Sequence, residues 1–307
     1  MKAVYFMKTG GPEVLQYGDF PDPVAGPGQV VVDVHAASVN GADWQVRNGS
    51  YARATRFPWV PGRDFSGVVA ALGTGVSDFA VGDPVFGVVE RADDGCYAEK
   101  LAVQAAIIAR KPDRLSHVEA AALALIGLTS LVALEETLHL KRGETILIQG
   151  GAGGAGSFAI QLARHIGARV ISTASAANLE YVRGLGADQV IDYNAQDFAR
   201  VVTGCDAVFD TVGGDVATRS FAVLRSGGRA AFIASGAQAP ASPRPDVTSL
   251  RPDVRRDRPH LERIVALHQV GAVRVPEIRT YALSEAVEAH RVSESRHFRG
   301  KLVLEVR

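Results

Sequence analysis

Three glycines, Gly151, Gly153 and Gly156, stand at GxGxxG spacing within "TILIQGGAGGAGSFAIQLARHIGARVIST". An apolar run ends at Gln149 immediately before them, and a helical pattern with Ala159, Ile160, Leu162 and Ala163 on one face begins immediately after. That strand–turn–helix context is what the motif needs in order to bind a dinucleotide. Gly151 is expected to permit the tight turn, Gly153 to let the backbone approach a pyrophosphate, and Gly156 to let the helix pack closely on the strand. Gly154 and Ala155 complete the turn, and backbone N–H groups at the helix start would face the negative charge.

The end of the second strand decides which nicotinamide cofactor fits. An NAD site usually places an acid about 20 residues beyond the glycines, on the ribose hydroxyl. Here the position reads Thr173-Ala174-Ser175, and the next acid, Glu180, falls inside a helix. No carboxylate is there to repel a 2′-phosphate. Ser175 and Tyr193 are neutral donors for one, although no Lys or Arg stands close by. The expected cofactor is NADP(H). Ser175 also suits a helix N-cap, and both roles are compatible.

Metal chemistry has little to work with. Cys96 and Cys205 are the two cysteines, far apart and outside any CxxC, so no structural zinc cluster is expected and both read as free thiols. The eight histidines show no ligand spacing, and His35 reads as an interior or edge residue of a strand. In "VNGADWQVRNGSY", Asp43 and Arg47 lie four apart on an expected helical turn, where they would pair.

These residues need two kinds of support. A chain of 307 residues suggests roughly two domains. Its 33 basic and 33 acidic side chains give no electrostatic reason to expect nucleic acid or an anionic membrane. The N-terminal "MKAVYFMKTGGPEV" lacks the apolar core of a signal peptide. "EAAALALIGLTSLVAL" is interrupted by Gly127, Thr129 and Ser130 and reads as a buried helix, not a membrane span. A cytoplasmic protein without a membrane or nucleic-acid partner is the expectation. Up to about Pro112, short alternating runs such as "QVVVDVHAASV" and "DPVFGVV" are separated by Gly and Pro turns, as in an all-β barrel or sandwich. From Ser116, which forms a capping box with Glu119, strands and helices alternate, implying a doubly wound parallel sheet. A Pro/Arg-rich stretch from Gln238 to Pro259 holds one short strand, "DVTSL". Helices from Leu261 to about Val270 and near Glu285 to Val292 follow, and "KLVLEV" closes the chain as a strand.

With "GPEVLQYGDFPDP", "ASVNGADWQVRNGSY", "PWVPGRDFSGVV", "VGDPVFG", "GLTSLVAL", "GGAGGAG", "GADQVIDY", "DTVGG" and "GKLVLEV" in order, nearly the whole chain resembles a medium-chain dehydrogenase/reductase of the zinc-free quinone oxidoreductase branch related to zeta-crystallin. The resemblance implies an α/β plus β architecture. A GroES-like β-barrel catalytic domain would comprise 1–116 and 257–307, with a Rossmann dinucleotide-binding domain at 117–256. Zinc members carry Cys where Asn40 stands and His where Arg63 stands. An amide is a poor zinc ligand and a guanidinium is none, so both metal sites are absent, and Arg63 and Asp64 would form local ion pairs or anchor the loop. The resemblance places Asn40 beside nicotinamide and substrate and matches Tyr51 to the proton donor of related enoyl-thioester reductases. Thr129 would line the nicotinamide pocket, and Thr211, Val212, Ile233 and Ser235 would face the cofactor from strand ends. The implied reaction is NADPH-dependent hydride transfer to quinones or to the C=C bond of α,β-unsaturated carbonyls. The cofactor carries the hard chemistry. Alternatives are an enoyl-thioester reductase and a non-catalytic NADPH-binding structural or RNA-binding protein. A homodimer is expected, because "DVTSL" matches a sheet edge that pairs across a two-fold axis in relatives.

Overall fold

The computed structural model describes residues 1–51, 56–90, 94–236 and 238–307. The chain divides into two compact units. One comprises Met1–Leu125, Arg256–Ala266 and Glu277–Arg307, and the other Ile126–Arg255 and Leu267–Pro276.

The first unit is built on the strand Gln29–Val39. Its valines Val30, Val32 and Val34 are fully buried, as the pleat of a sheet with one face on a core requires. It pairs antiparallel with Asp64–Leu72, Lys100–Gln104 and Lys301–Glu305. Register then decides what meets at one end of this sheet. Ser38 lies opposite Asp64, and Val39 lies opposite Leu302, so Asn40, Asp64 and Lys301 converge from three distant segments. Ile278–Ala282 adds a parallel edge strand beside Lys301–Glu305, one that alternation in the sequence does not mark. The helix Gly41–Asn48 leaves the sheet at Asn40 and stops at Gly49, whose φ of 81° lies in the left-handed region that glycine enters without penalty. The second helix of note in this unit is Ala286–Ser295.

The second unit holds six strands, all parallel, in the spatial order Gln189–Asp192, Arg169–Ala174, Thr145–Gln149, Cys205–Asp210, Leu224–Phe232, Thr248–Leu250. The order of connection reverses between Thr145–Gln149 and Cys205–Asp210. In open α/β sheets, ligands bind beyond the carboxyl ends of the strands at such a switch point. The expected class, a GroES-like sheet with a separate parallel Rossmann-like sheet, is the one found.

The Ser116–Glu119 capping box forms in both directions: the Ser116 Oγ accepts from the Glu119 N–H at 3.2 Å, and the Glu119 carboxylate accepts from the Ser116 N–H at 2.8 Å. The helix it opens, His117–Leu131, runs on as a π-helical segment, Val132–Thr137. This run is long and apolar enough to cross a bilayer, but 78% of its apolar window is buried within the protein itself.

Candidate functional site

In the second unit, the strand Thr145–Gln149 ends in the glycine turn, and the helix Gly154–Ile166 starts with Gly153 as its N-cap residue. The tight turn belongs to Gly150, at φ 73°, and not to Gly151 as expected. Gly151 has a different reason to be glycine: a Cβ there would sit 2.2 Å from the Ser172 Oγ and 2.9 Å from Ile160. Gly156 fulfils its expected role, since a Cβ would lie 2.3 Å from the Gly150 carbonyl oxygen. A Cβ on Gly153 would meet nothing closer than 3.5 Å, so that stretch of backbone faces open space. Gly153, Gly154 and Ala155 are partly exposed while Gly151 and Gly156 are buried. The open amides at the start of a 13-residue helix suit an anionic group.

The partners of this turn come from neighbouring strand ends in the same unit. Thr211 Oγ1 donates to the Gln149 carbonyl at 2.8 Å, which fixes the Thr211–Val212 segment at the switch point. The Asp210 carboxylate, at the end of its strand, accepts from the Val212 and Gly213 N–H groups, and burial raises its pKa. Ser130 Oγ donates to the Ala155 carbonyl at 3.1 Å, so the helix carrying Thr129 is tied to the glycine turn. Ser130 escaped the sequence reading because a serine in a helix carries no positional signal. Ile233 and Ser235 follow the strand Leu224–Phe232, and the buried Ser235 Oγ has no partner among the described residues. An orphaned buried hydroxyl at a strand end is what a site awaiting a polar ligand would leave. Ala174 is buried, whereas Ser175 is partly exposed and Tyr193 is 51% exposed. The Ser175 side chain makes no cap bond and instead accepts from Asn178 Nδ2 at 3.1 Å. Asp192 lies in register beside Ala174, but its carboxylate accepts from the Asn194 N–H at 3.0 Å. These residues fit a nicotinamide dinucleotide whose adenosine end meets neutral donors.

In the first unit, Asn40 stands between two charges. Its Nδ2 donates to Asp64 Oδ1 at 2.5 Å, and its Oδ1 accepts from the Lys301 ammonium at 2.7 Å. Lys301 also donates to the Val39 carbonyl at 2.9 Å and is 4% exposed. Burial lowers its pKa, against the pull of Asp64 and Asp43. Asp43 sits alongside, 2% exposed, accepting from the Asn40 N–H at 2.8 Å and the Tyr97 hydroxyl at 3.1 Å. Burial pushes its carboxyl up to about 6, in spite of Arg63, whose Nε is 3.8 Å away. The Tyr97 ring packs against Gly62, whose φ of 97° and missing Cβ (it would lie 2.3 Å from the ring) let the chain pass beneath and deliver Arg63. Arg63 lies over the Tyr51 ring at 5.9 Å. The Tyr51 hydroxyl has no described partner, while the ring packs against the core of this unit.

One expected pairing is not the one observed. Asp43 does not pair with Arg47: the Arg47 guanidinium is drawn to the helix Ala286–Ser295, where it bonds to His290 Nδ1 at 3.0 Å and Glu294 at 2.5 Å, and to the Gly10 carbonyl at 3.2 Å. Arg63 forms its ion pair locally with Asp43, at 3.8 Å, and Asp64 holds Asn40. His35 stacks on His117 at 4.3 Å, and Cys96 and Cys205 are buried free thiols. Among the described residues, no three His, Cys, Asp or Glu side chains gather where they could hold a metal ion. Where zinc ligands would stand, the amide of Asn40 and the guanidinium of Arg63 are found.

Residues 26–113 match the family described as "Alcohol dehydrogenase GroES-like domain", and residues 185–304 the one described as "Zinc-binding dehydrogenase". The chain is 34% identical over 314 residues to the chloroplastic NADPH-dependent alkenal/one oxidoreductase of Arabidopsis thaliana, covering 99% of this chain and 79% of that protein. Its structure matches the quinone oxidoreductase of Coxiella burnetii at a TM-score of 0.91 and 36% identity, over 100% of this chain and 99% of that one. It matches the Escherichia coli quinone oxidoreductase complexed with NADPH at a TM-score of 0.92 and 28% identity, over 100% of both chains.

Proposed function

We propose the chemistry of this chain from one premise: it belongs to the medium-chain dehydrogenases/reductases, in their zinc-independent quinone oxidoreductase branch. It is an NADP(H)-dependent oxidoreductase of quinone- and enone-type acceptors. NADPH supplies the hydride when bound. Gly153, Gly154, Ala155 and Gly156 would receive its pyrophosphate, with Gly151 shaping the turn. Ser175 and Tyr193 would receive the 2′-phosphate, and Thr129, Thr211, Val212, Ile233 and Ser235 the nicotinamide end. For an enone, the acceptor gains hydride at the β carbon and a proton at the α carbon, giving the saturated carbonyl; for a quinone, it gains hydride and a proton to give the quinol.

The observation that carries this reading is the pinned Asn40 amide, with Lys301 on one side and Asp64 on the other. An amide is a poor metal ligand, and ammonium and guanidinium groups bind no cation, so among the described residues this cluster offers no ligand set to stabilise a metal-bound alkoxide as simple alcohol oxidation needs. An electron-poor carbon acceptor does not need one. Asn40 would orient the acceptor, and Tyr51, its hydroxyl without a partner among the described residues, would supply the proton.

Two further parts belong to the proposal. A homodimer would form through the edge strand Thr248–Leu250, which pairs on one side with Leu224–Phe232. Cytoplasmic residence is part of the proposal as well; the His117–Thr137 run, mostly buried in the protein's own interior, bears only on its not crossing a membrane. The reading is tested by NADPH consumption over quinones, enals, enones and enoyl thioesters. Turnover with the first three classes is the expected result, and turnover with thioesters alone would overturn it.

A further inference from the structure

The first unit contains a buried cation whose hydrogen-bonding capacity is unspent. Arg63 is 8% exposed, yet its guanidinium donates no hydrogen bond to any described residue. Its one anionic neighbour, Asp43, lies at 3.8 Å, beyond hydrogen-bonding reach, and already accepts from Asn40 and Tyr97. The nitrogens of Arg63 are not among the buried atoms sealed off without a partner, so its donors look out through the small exposed part of the side chain. Five N–H donors at a nearly buried position are costly to leave unmatched. The other buried charges of this cluster are matched: Lys301 by Val39 and Asn40, Asp64 by Asn40 and the Leu125 N–H, Arg47 by Gly10, His290 and Glu294.

What surrounds the unspent donors points to their use. Arg63 lies over the ring of Tyr51, 5.9 Å from its centroid, and the Tyr51 hydroxyl has no partner among the described residues. If Arg63 served only to neutralise Asp43, a bidentate contact would be the favourable geometry, and the 3.8 Å separation falls short of it. We infer that Arg63 is a catalytic residue of the reaction proposed above: its guanidinium donates to the acceptor's carbonyl oxygen as hydride addition places negative charge there. The inference rests on that reading of the acceptor class. A guanidinium stays protonated throughout, so it moves no proton. It stabilises the enolate or quinolate oxygen, and the proton that completes the reaction comes from Tyr51 or water. The residue that keeps zinc out thus supplies fixed positive charge where zinc would have supplied it.

The test uses the full-length protein and two readouts. R63M is expected to lower kcat for an enal and for a quinone by about a hundredfold, the loss typical of an oxyanion donor, with NADPH binding unchanged by fluorescence titration. R63K, which keeps the charge and loses the fork, should fall between. The second readout needs no turnover. p-Nitrophenol added to the enzyme–NADP⁺ complex should ionise at a lower pH than it does free, because its phenolate mimics the product-side oxyanion, and R63M should abolish that shift. Since R63M leaves Asp43 without its cation, R63M/D43N restores the local charge balance and should show both losses while folded. A folded R63M/D43N that keeps kcat within about threefold of wild type, with the phenolate shift intact, overturns the inference and leaves the reductase reading standing. An Arg63-dependent phenolate shift in a wild-type protein that reduces none of the acceptors upholds the oxyanion site and removes the acceptor class.

Discussion

Replacing Lys301 by methionine is the sharpest probe of the charge framework beneath the site. The ammonium holds two contacts, to the Val39 carbonyl at 2.9 Å and Asn40 Oδ1 at 2.7 Å. Its charge also offsets the buried carboxylates Asp43 and Asp64, 2% and 0% exposed. Methionine matches the stem in volume, so packing changes little. The loss is electrostatic: two acceptors are stranded and the cluster is left with an excess of negative charge. Removing one partner from a buried ion set costs about 3–5 kcal/mol, which at an m-value of about 2 kcal/mol/M moves the urea midpoint by roughly 2 M. Tryptophan fluorescence is well suited to the assay, because the chain's two tryptophans, Trp44 and Trp59, both lie in the first unit. K301M/D64N removes one charge of each sign. If the framework acts as a unit, it should be more stable than the sum of the single changes allows, by about 1–3 kcal/mol. A K301M protein within about 1 kcal/mol of wild type would refute the idea that this ammonium compensates the carboxylates, and additive single effects would refute the coupling.

The remaining expectations concern cofactor, pH and metal. Ala174 is buried and would strand a carboxylate, so the cofactor switch is placed at Ser175. S175D should cost NADPH roughly ten- to hundredfold in kcat/KM while NADH holds or improves; equal loss for both cofactors would show that Ser175 does not face the 2′-phosphate. Asp43, raised by burial from 3.8 to about 6, binds its proton more tightly folded than unfolded. Its contribution therefore favours the fold below about pH 4, is lost as pH rises to about 6, and is flat above; the change is roughly 3 kcal/mol and should vanish in D43N. Urea titrations from pH 4 to 7 that give parallel curves for both proteins would contradict this. Elemental analysis should find no stoichiometric zinc, and chelators should leave activity unchanged; one tightly held zinc per chain, lost together with activity, would reverse the assignment.

What could be read in the sequence divides by the range of the interaction. The dinucleotide turn was legible because its requirements are local: a strand, three spaced glycines and a helix lie within one short run. Even there, spacing could not separate Gly150 from Gly151. One is glycine for its positive φ and the other for the Ser172 hydroxyl behind it, and both reasons look alike as a missing side chain. The absence of zinc ligands was also legible, since it depends on residue type alone. What took their place was not. The i,i+4 rule pairs Asp43 with Arg47 on an isolated helix, where such a pair is worth only about 0.2–0.5 kcal/mol. A buried guanidinium offered a carbonyl, an imidazole and a carboxylate elsewhere has far more to gain by turning away, and Arg47 does so toward residues more than 240 positions distant. Lys301 reaches Asn40 across 261 positions for the same kind of reason: the register of Lys301–Glu305 against Gln29–Val39 puts it there. Once Arg47 is taken by the distant helix and Asp64 by Asn40, Arg63 is the one guanidinium of this cluster left with donors to spare. The feature that gives the site its chemistry is thus a remainder, set by where every other buried charge finds its partner. No motif encodes it, because it follows from the pairing of strands far apart in the chain.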